Sequence, residues 1–280
     1  MSSLEALLLG IVQGLTEFLP ISSSGHLILV PWLQDYTFLE HHDSFNKTFD
    51  VALHAGTLVA VLGYFRRDIA EILAGLWRSL RKRAIDTPDE RLAWALAVGT
   101  IPAVIAGGRG ESFIDDHLGE PWMIGILLIV FGLLLGRADT EPQERSMERV
   151  TLRDGLYIGL AQVLALMPGV SRSGITITAG RFLHHDRDTA ARVSFLLLAP
   201  ITAGAVVFKG LEVASEGLPD GVVGPMIVGT IAAAVSGYMA IAWLLALLRT
   251  HSYRPFVIYR VFAGIFVLSL IATGIRSATF

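Results

Sequence analysis

Two short polar stretches interrupt an otherwise apolar chain: Pro20–His26 (PISSSGH) and Pro168–Gly174 (PGVSRSG). Their residue types suit the handling of a phosphate. Arg172 offers a planar fork of donors matched to phosphoryl oxygens. The small residues Ser171, Ser173 and Gly174 let backbone approach an anion closely, and a helix beginning there would aim its free N–H groups at it. Ser22, Ser23, Ser24 and Gly25 form a second set of the same kind, and Thr176 adds a hydroxyl just past the first. Ser23 and His26 stand three residues apart, as a nucleophile and its acid/base partner could, and the imidazole is itself a possible nucleophile. Gln13 and Glu17 are four residues apart and so share one helical face. They could hold a divalent cation, Mg²⁺ or Ca²⁺, that shields phosphate charge, though weakly without the substrate's own oxygens.

Each group also has a structural use. Serines in membrane helices hydrogen-bond across helices and allow close approach, and Glu17 with Arg172 could be an ion pair. Ionisable residues in spans are costly and functional by default, which tilts the balance toward a site.

The elements that must position these groups are membrane helices. The 280 residues are 53% hydrophobic and 17% charged, against about 25% charged in soluble domains. A net charge of -3 without a basic block argues against nucleic-acid binding. With no cysteine there is no disulfide, thiolate zinc site or cysteine nucleophile. Met1–Glu5 lacks the basic start of a signal peptide, so the first apolar stretch is expected to stay in the fold.

Six segments can meet the ~20-residue length of a span with some flanking residues: 51–65, 92–108, 122–136, 193–211, 222–248 and 256–274. Leu4–Leu19 and Gly155–Met167 stop at prolines, and the apolar runs after the two tips are short. Each pair reads as a re-entrant helical hairpin. Lys and Arg collect in cytoplasmic loops. The loop after Phe65, with Arg66, Arg67, Arg78, Arg81, Lys82, Arg83 and Arg91, is therefore assigned inside, as are Arg137–Arg153, the loop with Arg181, Arg187 and Arg192, and Arg249–Arg254. Asp35–Asn46, the acidic Glu111–Glu120 and Glu212–Asp220 are assigned outside. The two hairpins then enter from opposite faces.

Gly10, Gln13, Ser22, Ser24 and Gly25 recur at one constant offset as Gly159, Gln162, Ser171, Ser173 and Gly174. The expected fold is thus a single all-α polytopic membrane domain over 1–280. It is an inverted repeat of re-entrant hairpin plus three transmembrane helices, with pseudo-repeats 1–140 and 150–280. Such repeats place binding sites near the midplane, as carriers do. Irregular backbone at membrane depth must be buried or line a wet cavity, so the two tips are expected to meet. Trp32, Trp77, Trp94, Trp122 and Trp243 read as interfacial or lipid-facing anchors, and the pairs His41, His42 and His184, His185 as solvated. Asp50 is expected at the start of a span, as a cavity residue or a cap.

Gly10–His26 (GIVQGLTEFLPISSSGH) together with Pro168–Thr176 (PGVSRSGIT) resembles the BacA/UppP family of undecaprenyl-diphosphate phosphatases. The resemblance implies a bacterial inner-membrane enzyme that hydrolyses undecaprenyl diphosphate to undecaprenyl phosphate and inorganic phosphate. That recycles the lipid carrier for peptidoglycan, and overproduction gives bacitracin resistance. It further implies a possible homodimer and a site open to the periplasm. The family's glutamate motif falls on Gln13 and Glu17, its serine–arginine motif on Pro168 to Thr176, its histidine on His26 and its possible serine nucleophile on Ser23. Gln13 departs from the glutamate of many members and counts against a two-carboxylate metal site. The alternative is a carrier or flippase of a polyprenyl phosphate lipid, with Arg172 holding the head group.

Overall fold

The computed structural model describes residues 1–34, 43–216, 218 and 221–279, with side chains throughout these except at 43–45, 110–117 and 216. Among the described residues the chain forms eleven α-helices. They are α1 (Ser3–Phe18), α2 (Ser23–Gln34), α3 (Asp43–Tyr64), α4 (Arg66–Lys82), α5 (Pro88–His117), α6 (Pro121–Ala138), α7 (Leu152–Gln162), α8 (Arg172–Phe182), α9 (Arg187–Glu216), α10 (Val223–Leu248) and α11 (Arg254–Ala272). Short 3₁₀ turns cover Met147–Arg149 and Val163–Leu166.

Five of these, α5, α6, α9, α10 and α11, are long and apolar enough to cross a bilayer unaided. The chain is an all-α, multi-pass membrane protein. A sixth span at 51–65 qualifies only when α3 is counted with α4, and the two are bent 81° apart. The reason is composition: Asn46, Lys47, Asp50 and His54 fall within the first twelve of the 22 residues of α3. Its 22 residues still extend about 33 Å.

α1, α2, α7 and α8 are 16, 12, 11 and 11 residues long, short of the ~17-residue minimum for a span. They form the two hairpins, α1–α2 and α7–α8. A capping box of Ser2 with Glu5 starts α1, and one of Thr151 with Asp154 starts α7. Both use side chains to occupy N–H groups that have no intrahelical partner.

The rising helix of each hairpin lies against a long span from the other half of the chain, α1 against α10 and α7 against α5, while α6 pairs with α11. Glycines permit this approach. A Cβ on Gly10 would sit 2.3 Å from the Gly229 carbonyl oxygen, and one on Gly159 would sit 2.2 Å from that of Gly99. With little hydrophobic drive between helices in lipid, such close packing supplies much of the association energy. Gly159→Ala is therefore expected to destabilise the protein by about 1–3 kcal/mol, read as a lowered Tm in detergent. An unchanged Tm would show that the α5–α7 seam can open at no cost.

Several expectations need correction. The basic segment after Phe65 is helix α4 rather than a loop, because its apolar residues repeat at helical spacing. Residues 111–117 continue α5 as helix. Arg181 is fully buried in α8, where its guanidinium donates to the carbonyls of His185, Glu141 and Pro142, and Arg187 and Arg192 belong to α9. His185 is buried 3.5 Å from Asp154, so only His184 of that pair is exposed; His41 and His42 lie outside the described residues. Trp32 is buried beside Leu29, Ile124 and Leu128, and Trp94 donates to Ser79 Oγ at 2.9 Å. Asp50 sits inside α3, too deep to cap it.

Candidate active site

The two tips meet. α1 delivers Gln13 and Glu17 to the end of its buried face, and the chain then turns through Leu19–Ser22 into α2. On the other side α7 and its 3₁₀ extension lead through Met167–Ser171 into α8. The turns are built alike. Ser22 and Ser171 both hold positive φ, 80° and 72°. Each hydroxyl accepts the N–H of the glycine three residues on: Gly25 to Ser22 at 3.3 Å, and Gly174 to Ser171 at 3.0 Å. The N-termini of α2 and α8 thus begin at neighbouring points, and two sets of free N–H groups with their positive dipole ends converge there.

Cross-links fix the two tips to each other. Gly169 N–H donates to Ser22 Oγ at 3.1 Å, and Ser173 Oγ donates to the Leu19 carbonyl at 3.1 Å. Arg260, fully buried in α11, donates to the carbonyls of Pro20, Gly169 and Val170 at 3.2, 2.9 and 3.0 Å. Irregular backbone that could not survive in lipid is satisfied inside the protein.

At the junction Glu17 is 5% exposed and surrounded by donors. Arg172 Nη2 donates to its Oε1 at 3.1 Å. Its Oε2 accepts the Ser23 hydroxyl at 2.5 Å and Gln13 Nε2 at 3.1 Å, and His54 Nε2 from α3 stands 3.7 Å away. Arg172 Nη1 is steadied by the Ser194 carbonyl at 2.9 Å. Two of its five N–H groups are thereby used, which leaves donors for an incoming anion.

His26 points elsewhere. Its Nδ1 lies 2.6 Å from the Ser22 carbonyl and its Nε2 2.6 Å from the Tyr259 hydroxyl. A carbonyl only accepts, so Nδ1 carries the proton, and in the neutral ring Nε2 then accepts from Tyr259. Ser22, Ser171, Ser173 and Thr176 are all buried, and their hydroxyls are committed within the protein; Thr176 donates to Ser194 Oγ at 2.7 Å. Ser23 and Ser24 are the hydroxyls of the set that retain partial exposure.

His54, Ser194, Tyr259 and Arg260 went unread in the sequence. His54 and Arg260 had a signal, an ionisable residue inside a candidate span. Ser194 and Tyr259 had none, since their relevance comes from α9 and α11 packing beside the tips.

The Gln13 Oε1 atom is buried without a hydrogen-bond partner. An orphaned oxygen acceptor beside a carboxylate fits a divalent cation held partly by the substrate. No group of three or more His, Cys, Asp or Glu able to hold a metal occurs among the described residues, so a fully protein-ligated ion does not fit.

An intramembrane, anion-ready site with a hydroxyl, a carboxylate and a guanidinium in mutual contact defines a class, that of membrane-embedded proteins acting on phosphorylated groups. Residues 6–266 match the profile of the family described as bacitracin resistance protein BacA, and the chain belongs to that family. It is 51% identical over 271 residues to the undecaprenyl-diphosphatase of Geobacter sulfurreducens, covering 96% of this chain and 98% of that protein. Identity is 47% to the undecaprenyl-diphosphatase of Pelobacter propionicus, covering 98% and 99%. It is 44% to that of a Nocardioides species, covering 98% of each.

Proposed function

We propose that the protein hydrolyses undecaprenyl diphosphate to undecaprenyl phosphate and inorganic phosphate at the junction of the two tips. The observation that carries this reading is the Ser23–Glu17–Arg172 contact where two helix N-termini converge. Ser23 Oγ attacks the terminal phosphorus while Glu17 takes its proton, the P–O bond to the bridging oxygen breaks, and Glu17 passes that proton to undecaprenyl phosphate as it leaves. Water then attacks the phosphoserine phosphorus, giving its proton to Glu17. The Ser23–phosphorus bond breaks, and Glu17 returns that proton to the serine oxygen as inorganic phosphate leaves. Arg172 and the first N–H groups of α2 and α8 stabilise charge on the equatorial oxygens. His26, held between Ser22 and Tyr259, orients the tip beside the substrate. Glu17 and Gln13 Oε1 would share Mg²⁺ or Ca²⁺ with the diphosphate, and the ion would supply charge neutralisation.

The wider setting is proposed on the same footing. The reciprocal packing of α1 on α10 and α7 on α5 supports an inverted repeat of 1–140 and 150–280. The loop charges support hairpins that enter from opposite faces, and the resemblance supports placement in a bacterial inner membrane. The resemblance supports a site open to the periplasm, a homodimer and a role in carrier recycling.

The test is inorganic phosphate release from undecaprenyl diphosphate by the purified protein in detergent, with and without Mg²⁺ or Ca²⁺. A carrier would release none there. Arg172→Lys keeps the charge but loses the fork, and is expected to lower kcat/KM by about 10²–10³. Turnover within a factor of a few of the parent would remove Arg172 from the reaction.

A further inference from the structure

Helix α4 has no part in the site, yet its construction is specific. It leaves α3 at 81°, so it runs across the direction of the span. One side is fastened to the protein. Ile69 and Ile72 pack on the main core, Gly75 lies close enough to Asp89 for a Cβ to sit 3.2 Å from its carbonyl carbon, and Ser79 is buried under Trp94. Lys82 closes the end on Glu90 at 2.9 Å.

The adjoining side is apolar and bare. Leu73, Trp77 and Leu80, at helical spacing, are 59%, 68% and 52% exposed. Arg67 and Arg81 flank them around the helix and Arg66 continues the stripe at its N-terminal end, and none of the three forms an ion pair among the described residues. Asp68 and Glu71 are the acidic residues of the helix, and Arg192 lies 3.9 Å from Asp68. An apolar stripe with a tryptophan and a basic flank, on a helix lying across a span, is the pattern of an interfacial helix.

We propose that α4 is an interfacial helix whose Leu73–Trp77–Leu80 face enters the acyl boundary while Arg66, Arg67 and Arg81 bind anionic phospholipid headgroups. The occupant is a lipid surface rather than a protein because the chain is already membrane-embedded and the stripe lies beside its spans. Charge complementarity selects anionic over zwitterionic headgroups. Each arginine near an anionic surface favours it about fivefold, an effect that salt screens. The binding is independent of the reaction at the tips.

The experiment uses the full-length protein reconstituted in phosphatidylcholine vesicles doped with lipid brominated high on its acyl chains. The probe lipid is either phosphatidylglycerol or phosphatidylcholine at equal mole fraction. Trp77 emission is isolated as the difference between the parent and Trp77→Phe. Expected is several-fold stronger quenching by brominated phosphatidylglycerol, weakened by salt. R66Q/R67Q/R81Q should abolish the preference, and R66K/R67K/R81K should retain it. Phosphate release in detergent by all four proteins reports that they are folded. Equal quenching by the two lipids in the parent overturns the charge selection. Absence of quenching by either places the stripe outside the bilayer and overturns the whole proposal, as does a preference that survives the glutamine substitutions.

Discussion

Ser23→Ala should lower phosphate release from undecaprenyl diphosphate by about 10⁴ or more, leaving what positioning and charge stabilisation alone provide. The sequence left Ser23 and His26 as equal candidates for the nucleophile, and the geometry favours Ser23. Ser23 Oγ lies 2.5 Å from Glu17 Oε2, so the proton it must lose has an acceptor in place. It also stands at the first residue of α2, where developing negative charge meets a positive helix end. Both nitrogens of His26 are spoken for; to attack, Nε2 would have to leave Tyr259 and turn inward. His26→Ala should therefore cost far less than Ser23→Ala. The chemistry of a trapped intermediate gives an independent check, since phosphoserine survives acid and phosphohistidine does not. An acid-labile phosphoenzyme, or Ser23→Ala turning over within tenfold of the parent, would transfer the nucleophile to His26.

The sequence exposed the tips better than it exposed what holds them. Proline stops at Pro20 and Pro168, short apolar runs and a recurring Ser-x-Ser-Gly pattern sufficed to find two hairpins, because helix length against bilayer thickness is a one-dimensional property. Their meeting followed from the need to satisfy bare backbone. Which hydroxyls face the substrate was not legible. Ser22 and Ser23 are neighbours, yet one is spent on Gly25 and Gly169 while the other reaches Glu17. That division depends on the positive φ at Ser22, a consequence of the turn as a whole. Helix α4 was misread for a different reason: its arginines raised the polarity enough to suggest a loop, while Ile69, Ile72, Leu73, Leu76, Trp77 and Leu80 kept helical spacing beneath them.

The largest effect on stability is expected at Arg260, outside any catalytic role. Its guanidinium is fully buried in α11 and donates to carbonyls on three segments: Pro20 in the first tip, Gly169 and Val170 in the second, and Leu128 in α6 at 3.2 Å. It forms no ion pair among the described residues, so its charge is distributed over these carbonyl dipoles. Arg260→Met keeps much of the apolar stem but removes every donor. The three tip carbonyls then lose this partner where water has poor access, at about 1–3 kcal/mol each, while that of Leu128 keeps its bond within α6. The cost is about 3–9 kcal/mol, less what any of them recovers by relaxing or recruiting water, a range that reaches the whole margin of an ordinary protein and is enough to separate the tips. The measurement is thermal unfolding in detergent together with phosphate release, with Arg260→Lys alongside. Lysine brings three donors from one nitrogen and cannot reach both tips and α6 at once, so it should fall between methionine and the parent. Arg260→Met with parental Tm and turnover would mean that the tips hold each other through Ser22 and Ser173 alone. A parental Tm with turnover lost would instead mean that Arg260 aligns the two tips without being needed to keep the chain folded.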